Sequence, residues 1–193
     1  DGQILLPPGG GQARIVVARL DVSGTRAAGA LDIVPGGFSG RLTVAGGGYS
    51  GALDLAPQGD VQRIVGRIEA KGARLGAATI LRQGRTEFTI LLDPAGTRID
   101  ATASGSGLRR GSFSIARFAG NARLVGDSGE IRASIAGQRA GGFQIQSITQ
   151  VAPSGYTIAA QGTVGGRPIR LETPARLTRE GDTWNLATTR LAF

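Results

Sequence analysis

The chain contains no cysteine, no histidine and no methionine. Without cysteine it forms no disulfide and offers no thiolate to a metal, which fits an oxidising compartment without requiring one. Without histidine it lacks both the commonest metal ligand and the side chain that most often moves protons near neutral pH. Without methionine, residue 1 is not a translation start, so the expectation is a processed or excised piece of a longer protein. No apolar run approaches the ~20 residues of a membrane-spanning helix. No secretory signal is visible, though an excised piece would have lost one. Aromatics are scarce: Phe38, Phe88, Phe113, Phe118, Phe143, Phe193, Tyr49, Tyr156 and Trp184. Any interior is therefore lined by Leu, Ile, Val and Ala.

What the chain does have is rhythm. Short alternating apolar/polar runs recur and are closed by glycine, of which there are 33. Gly129 to Gly137 shows the unit: Ile131, Ala133 and Ile135 share one side, Glu130, Arg132 and Ser134 the other. Successive strand side chains point to opposite faces, so each run makes a ribbon with one greasy and one wet face. Glycine and proline together make about a fifth of the chain, which approaches low complexity. These glycines punctuate alternating runs, however, and 40% of the residues are hydrophobic, so turns explain them better than disorder.

Likewise ordered is the charge. The formal balance is +8, and every basic residue except Lys71 is arginine. An excess of cations favours anionic partners such as phospholipid headgroups, lipopolysaccharide or acidic protein surfaces. Nucleic acid is not expected, because its binders concentrate charge and interleave aromatics for stacking. Here arginines such as Arg41, Arg63, Arg67, Arg98, Arg132 and Arg170 stand singly on polar faces, and Arg109-Arg110 is the one adjacent pair considered as an anion contact.

Residues 1–12 read as an irregular Gly/Pro segment and 13–193 as a single β-repeat domain, a section of something longer. The predicted strands are 14–22, 27–34, 38–44, 49–55, 61–70, 73–81, 86–93, 97–104, 112–118, 121–125, 130–136, 142–151, 155–164, 167–172, 175–179 and 183–192. Turn signals separate them, including Pro35-Gly36-Gly37, Gln58-Gly59-Asp60, Asp93-Pro94-Ala95-Gly96 and Glu180-Gly181-Asp182. Such short links join antiparallel neighbours, so an all-β meander of about 14–16 strands is expected. Internal glycines cost a helix roughly 1 kcal/mol each, which argues against helix anywhere.

Several catalytic look-alikes fail on chemistry. Gly126-Asp127-Ser128-Gly129 spells the surroundings of a serine-protease nucleophile, but no histidine exists to take the proton. The sequence reads better as a turn between two strands. Gly46-Gly47-Gly48-Tyr49-Ser50-Gly51 satisfies G-x-G-x-x-G, yet a strand follows it and no helix N-terminus receives a pyrophosphate. Gly105 to Gly111 has no G-K-[ST]. Asp32, Asp54 and Asp100 each sit between apolar residues near a strand end. Two acids suffice for glycoside hydrolysis, but acids repeating with the strands are expected to cap turns or pair with arginines across strands. No enzyme activity, cofactor or metal is expected.

The apolar faces have two possible destinations. Two of them clasped together make a closed β-sandwich, stabilised at roughly 25 cal/mol per Å² buried. One long meander instead rolls into an open gutter, and a continuous apolar surface is rarely left open without a use. An aliphatic trough suits acyl chains, with arginines near its rim meeting phosphate headgroups.

Several stretches carry a family resemblance: Gly40-Arg41-Leu42-Thr43-Val44-Ala45-Gly46-Gly47-Gly48-Tyr49-Ser50-Gly51-Ala52-Leu53-Asp54-Leu55, then Leu91 to Ala101, Gly107 to Gly111, Gly129 to Gly137 and Leu177 to Trp184. From about residue 14 onward the chain resembles the proteobacterial translocation and assembly module family TamB, which is similar to AsmA-like, bridge-like lipid transfer proteins. The resemblance implies a β-taco with a hydrophobic groove, in a periplasmic protein of a Gram-negative bacterium anchored in the inner membrane. It implies phospholipid movement between the two membranes, and a BamA-like outer-membrane barrel, TamA, as partner through regions outside this segment. It brings no catalytic residues.

On that reading Phe88, Ile90, Leu92, Ile131, Ile135, Ile145 and Ile158 line a lipid groove, and Arg109 and Arg110 contact headgroups. Two alternatives stand beside it. One is an assembly factor for outer-membrane barrels and autotransporters that offers its sheet edge or groove to nascent strands. The other is a passive β-rich spacer with a filled interior.

Overall fold

A computed structural model describes every residue except 1, 7–11, 23, 77 and 139–140. Sixteen strands and no helix occur among the described residues: β1 (Gly2–Leu5), β2 (Arg14–Val22), β3 (Thr25–Val34), β4 (Gly37–Gly46), β5 (Tyr49–Gln58), β6 (Val61–Arg74), β7 (Thr79–Leu92) and β8 (Arg98–Arg110) come first. They are followed by β9 (Phe113–Val125), β10 (Ser128–Gln138), β11 (Gly142–Ala152), β12 (Gly155–Val164), β13 (Arg167–Leu171), β14 (Ala175–Glu180), β15 (Thr183–Leu186) and β16 (Leu191–Ala192). All belong to one antiparallel sheet, and β1 to β13 lie side by side in chain order. Beyond β12 the sheet forks: β13 pairs with the end of β12 near Val164 and carries β16, while β14 pairs with the end near Gly155 and carries β15.

Register sorts the residues by face. Directly opposed residues point the same way, so the row Leu31, Gly40, Leu55, Ile64, Ile90, Ile99, Leu124 follows one side of the sheet from β3 to β9. The row two positions along, Leu42, Leu53, Gly66, Phe88, Ala101, Ala122 and Ile131, follows the same side and continues into Thr149 and Ile158. The interleaved rows carry Arg41, Asp54, Asp100, Arg123 and Glu130 on the other side. A one-residue slip would exchange the two faces, so the alternation itself fixes register.

The sheet does not close, and no second layer covers its apolar side. Among the described residues no large side chain is fully buried, which excludes the closed sandwich. Burial is greatest where Ala70, Ala73 and Leu81 cluster, with Tyr49, Leu108 and Phe118 packed against them. There the regular alternation breaks. Ala70 and Ala73 share a face although three residues apart, as do Leu81 and Gly84, whose missing side chain Leu81 fills. The irregularity runs across four strands, through Gly72, Arg82, Gly107 and Ala116, and shifts register between β9 and β10 at Ala136/Gly137. Bulges bend strands. The sheet is thus an open gutter whose apolar side is most buried along this line.

Several boundaries differ from expectation. Gly2–Leu5, within the segment read as irregular, pairs with β2; Pro7 to Gly11 lie outside the described residues. The expected strand at 73–81 is instead the end of β6, a turn, and the start of β7. The runs at 112–118 and 121–125 form one strand, β9, and 183–192 divides into β15 and β16.

Candidate functional site

All seven residues expected to line a groove lie on the apolar side. Phe88, Ile131 and Ile158 belong to one row; Ile90 lies two positions away, and Leu92 sits beyond it at the strand end. Ile135 and Ile145 face each other directly across β10 and β11. Six of the seven are half-buried by their neighbours, while Leu92, at the lip, remains 47% exposed. Between the strand ends this side carries no charged residue from β3 to β12, and its few polar groups are hydroxyls such as Thr86, Ser147 and Thr149. Eleven strands, β2 to β12, at a spacing of ~4.8 Å make the trough about 50 Å long.

Glycines keep the trough smooth. The rings of Phe88, Phe118 and Phe143 lie over Gly66, Gly105 and Gly137 on the adjacent strands, where any Cβ would strike the ring. The aromatics thus lie down across the sheet rather than standing in the trough. Gly51 illustrates the backbone demand: its φ is +159°, and a Cβ would collide with the Arg67 carbonyl oxygen.

At the rim where β3 and β4 meet, Gln62 reaches across from β6. Its carbonyl accepts from the Phe38 N–H at 2.6 Å and its amide donates to the Phe38 carbonyl at 3.1 Å. Beyond Tyr156, Trp184 stacks at 5.6 Å, with the Arg179 guanidinium 6.0 Å above the indole.

The two arginines read as headgroup contacts do not act together. Arg109 is in register with Ile80 and Ser114 on the charged side, whereas Arg110 is in register with Thr79 and Phe113 on the apolar side. Phe113 stacks on Phe143 at 5.9 Å, and Phe143 is opposite Val164, which is opposite Arg167. Arg110 and Arg167 therefore flank a stacked phenylalanine pair at one rim of the trough. Sequence reasoning missed Arg167, and counting alternation back from Ile169 would have placed it.

The charged side is laced by ion pairs. Asp32, Asp54 and Asp100 pair across strands with Arg14 (2.6 Å), Arg41 (3.6 Å) and Arg123 (3.6 Å), as expected of acids that repeat with the strands. Arg14 and Arg132 hydrogen-bond the carboxylates of Asp32 and Glu130 and hold them below the usual carboxylate range; Arg19 does the same to Asp21. Open furrows run on this side too. One of about 530 Å³ is bordered by Arg132, Gln146, Ile148, Gln161 and Arg170. Another of about 690 Å³ lies among Arg63, Arg67, Glu87, Asp100 and Arg123. The two furrows meet at Asn121, and apolar residues such as Ile148 and Leu171 help wall the first of them. Among the described residues no helix is long and apolar enough to cross a membrane.

Fold and site together define an open, single-layer β-gutter with one continuous aliphatic face. No protein-family model, curated protein or solved structure matches the chain.

Proposed function

We propose that the chain is a section of a periplasmic bridge-like conduit that moves phospholipids between inner and outer membranes along its apolar trough. The observation that carries this reading is the continuous apolar face, unbroken by charge across β3 to β12 and uncovered by any second layer. Hydrocarbon on such a surface removes both partners from water, at roughly 25 cal/mol per Å² of apolar area. Transport along it needs no chemistry, only an unbroken path. The resemblance to the TamB family supports the same reading. Mass spectrometry of lipids co-purifying with the chain under mild conditions tests it: bound phospholipid is expected, and a lipid-free chain whose trough stays empty when offered phospholipid refutes it.

The assembly-factor reading has its own observation. Large apolar side chains stand exposed on the outermost strands described, Ile4 and Leu5 on β1 and Trp184 and Leu186 on β15. Unpaired edges template strand addition. Selective crosslinking of β1 or β15 to unfolded barrel proteins, with no lipid bound, favours this second reading over the conduit.

A further inference from the structure

The ends of the strands divide the charge unequally between the two rims. Strands β4, β6, β8, β10 and β12 end at one rim and begin at the other. Beyond the row Tyr49, Ala70, Gly84, Gly105, Phe118, Ile135 toward the first rim stand Lys71, Arg74, Arg82, Arg109, Arg110, Arg117 and Arg167, and no aspartate or glutamate among the described residues. None of these seven cations has an ion-pair or hydrogen-bond partner among the described residues. At the opposite rim Asp32, Asp60, Asp93, Asp127, Glu180 and Asp182 outnumber Arg14, Arg63, Arg98 and Arg179. Three of those four arginines are paired with acids there.

A row of unneutralised cations along one lip repels itself and raises the local concentration of anions. Its two members on the trough side, Arg110 and Arg167, bracket the Phe113–Phe143 stack where the apolar surface ends. Hydrocarbon and phosphate would thus meet their complements side by side: aromatic and aliphatic surface within, guanidinium at the edge. Guanidinium donors bind phosphate oxygens bidentately. The acidic rim offers the reverse and would repel the same group.

We propose that this basic rim binds the headgroup of an anionic diacyl phospholipid whose chains lie in the trough, so that lipids load with their headgroups over one lip only. The proposal rests on the conduit reading and adds polarity to it: orientation within the trough and preference for anionic over zwitterionic lipid.

The test uses the chain with phosphatidylcholine vesicles containing one phosphatidylglycerol in four, and counts each lipid on the re-isolated protein. Phosphatidylglycerol should be enriched over its share of the vesicle, and the enrichment should fall with added salt. Replacing Arg110→Gln and Arg167→Gln should lower the ratio of phosphatidylglycerol to phosphatidylcholine on the protein about tenfold, toward that of the vesicle, since each cation beside an anionic surface contributes measurably. The pair Arg63→Gln and Arg98→Gln at the opposite rim should leave it unchanged. Enrichment that survives the first pair, or falls equally with the second, overturns the proposal. So does full displacement by inorganic phosphate, which would mark a free-anion site, or tighter binding of a DNA oligonucleotide. If both lipids are captured without preference, and Ile131→Asp with Ile135→Asp abolishes capture of both, the conduit stands and the basic rim falls. If the wild-type chain captures neither lipid, the conduit reading itself fails.

Discussion

Ile131 and Arg132 are consecutive in β10 and inhabit different worlds. Ile131 lies in an apolar row that crosses the sheet from β4 to β12. Arg132 bonds Glu130 at 2.6 Å among other charges, and is exposed. On the charged side the interactions are pairwise and wet, so each contributes little on its own. On the apolar side the interaction is collective: each side chain covers a neighbour, and the face matters as a surface. The comparison teaches that a change on one side disturbs a shared surface, while a change on the other disturbs one pair of charges at a time.

The sharpest way to break the comparison is to place charge in the trough. Ile131→Asp with Ile135→Asp should lower phospholipid capture at least a thousandfold, in effect abolishing it, because each aspartate facing hydrocarbon costs about 2.5–3.5 kcal/mol. Circular dichroism should show the β signal retained, since no second layer depends on these residues. Loss of the folded signal instead would show that the apolar face is a core. Arg132→Ala with Ser134→Ala, on the charged side of the same strand, should change capture less than about twofold, as expected of surface sites.

Next in size is a backbone effect. Gly51→Val should cost about 2–3 kcal/mol in urea unfolding, from its positive φ and the Arg67 carbonyl in its path. Its neighbour on the charged side, Ser50→Val, should stay within about 0.5 kcal/mol. Equal effects at the two positions would remove the distinction.

A smaller effect is expected at the lip. Gln62→Leu deletes both bonds to the Phe38 backbone. Net hydrogen-bond contributions of about 1 kcal/mol imply amide exchange at Phe38 faster by roughly fivefold. No change at Phe38 would show that the strand edge holds without Gln62.

The smallest effect is that of acid. Arg14, Arg19 and Arg132 lower the titration of Asp32, Asp21 and Glu130 in the folded state. Depressed carboxyls stabilise the fold while ionised, and that contribution is lost only as pH falls through their lowered values, below the ordinary carboxylate range. Carboxyl-carbon NMR of Asp32 should titrate lower than that of an unfolded peptide, with a small accompanying drop in thermal midpoint. A normal titration would show that Arg14 is not engaged in solution.

Period-two alternation made the faces legible in the sequence. It placed Phe88, Ile131, Ile158 and the other lining candidates on one side, and the pairing of Asp32, Asp54 and Asp100 with cross-strand arginines followed from their recurrence. Strand ends are less legible, because glycine in this chain reads as punctuation. Gly84 and Gly120 instead sit inside β7 and β9, Gly84 beneath the side chain of Leu81. At Gly72, Arg82, Gly107 and Ala116 the alternation changes phase, so Ala73 to Leu81 imitates a strand of its own. The separation of Arg109 from Arg110 and the unequal rims depend on which residues of different strands stand level. That is a property of pairing, and no single run displays it.

Strand order follows chain order from β1 to β13, and that has a consequence for how such a molecule grows and fails. A hairpin inserted or deleted within the meander alters only its immediate flanks, so length becomes an adjustable quantity rather than a fixed property of the fold. Damage is equally parochial: a strand lost in the middle would leave two shorter gutters, with the apolar face interrupted between them.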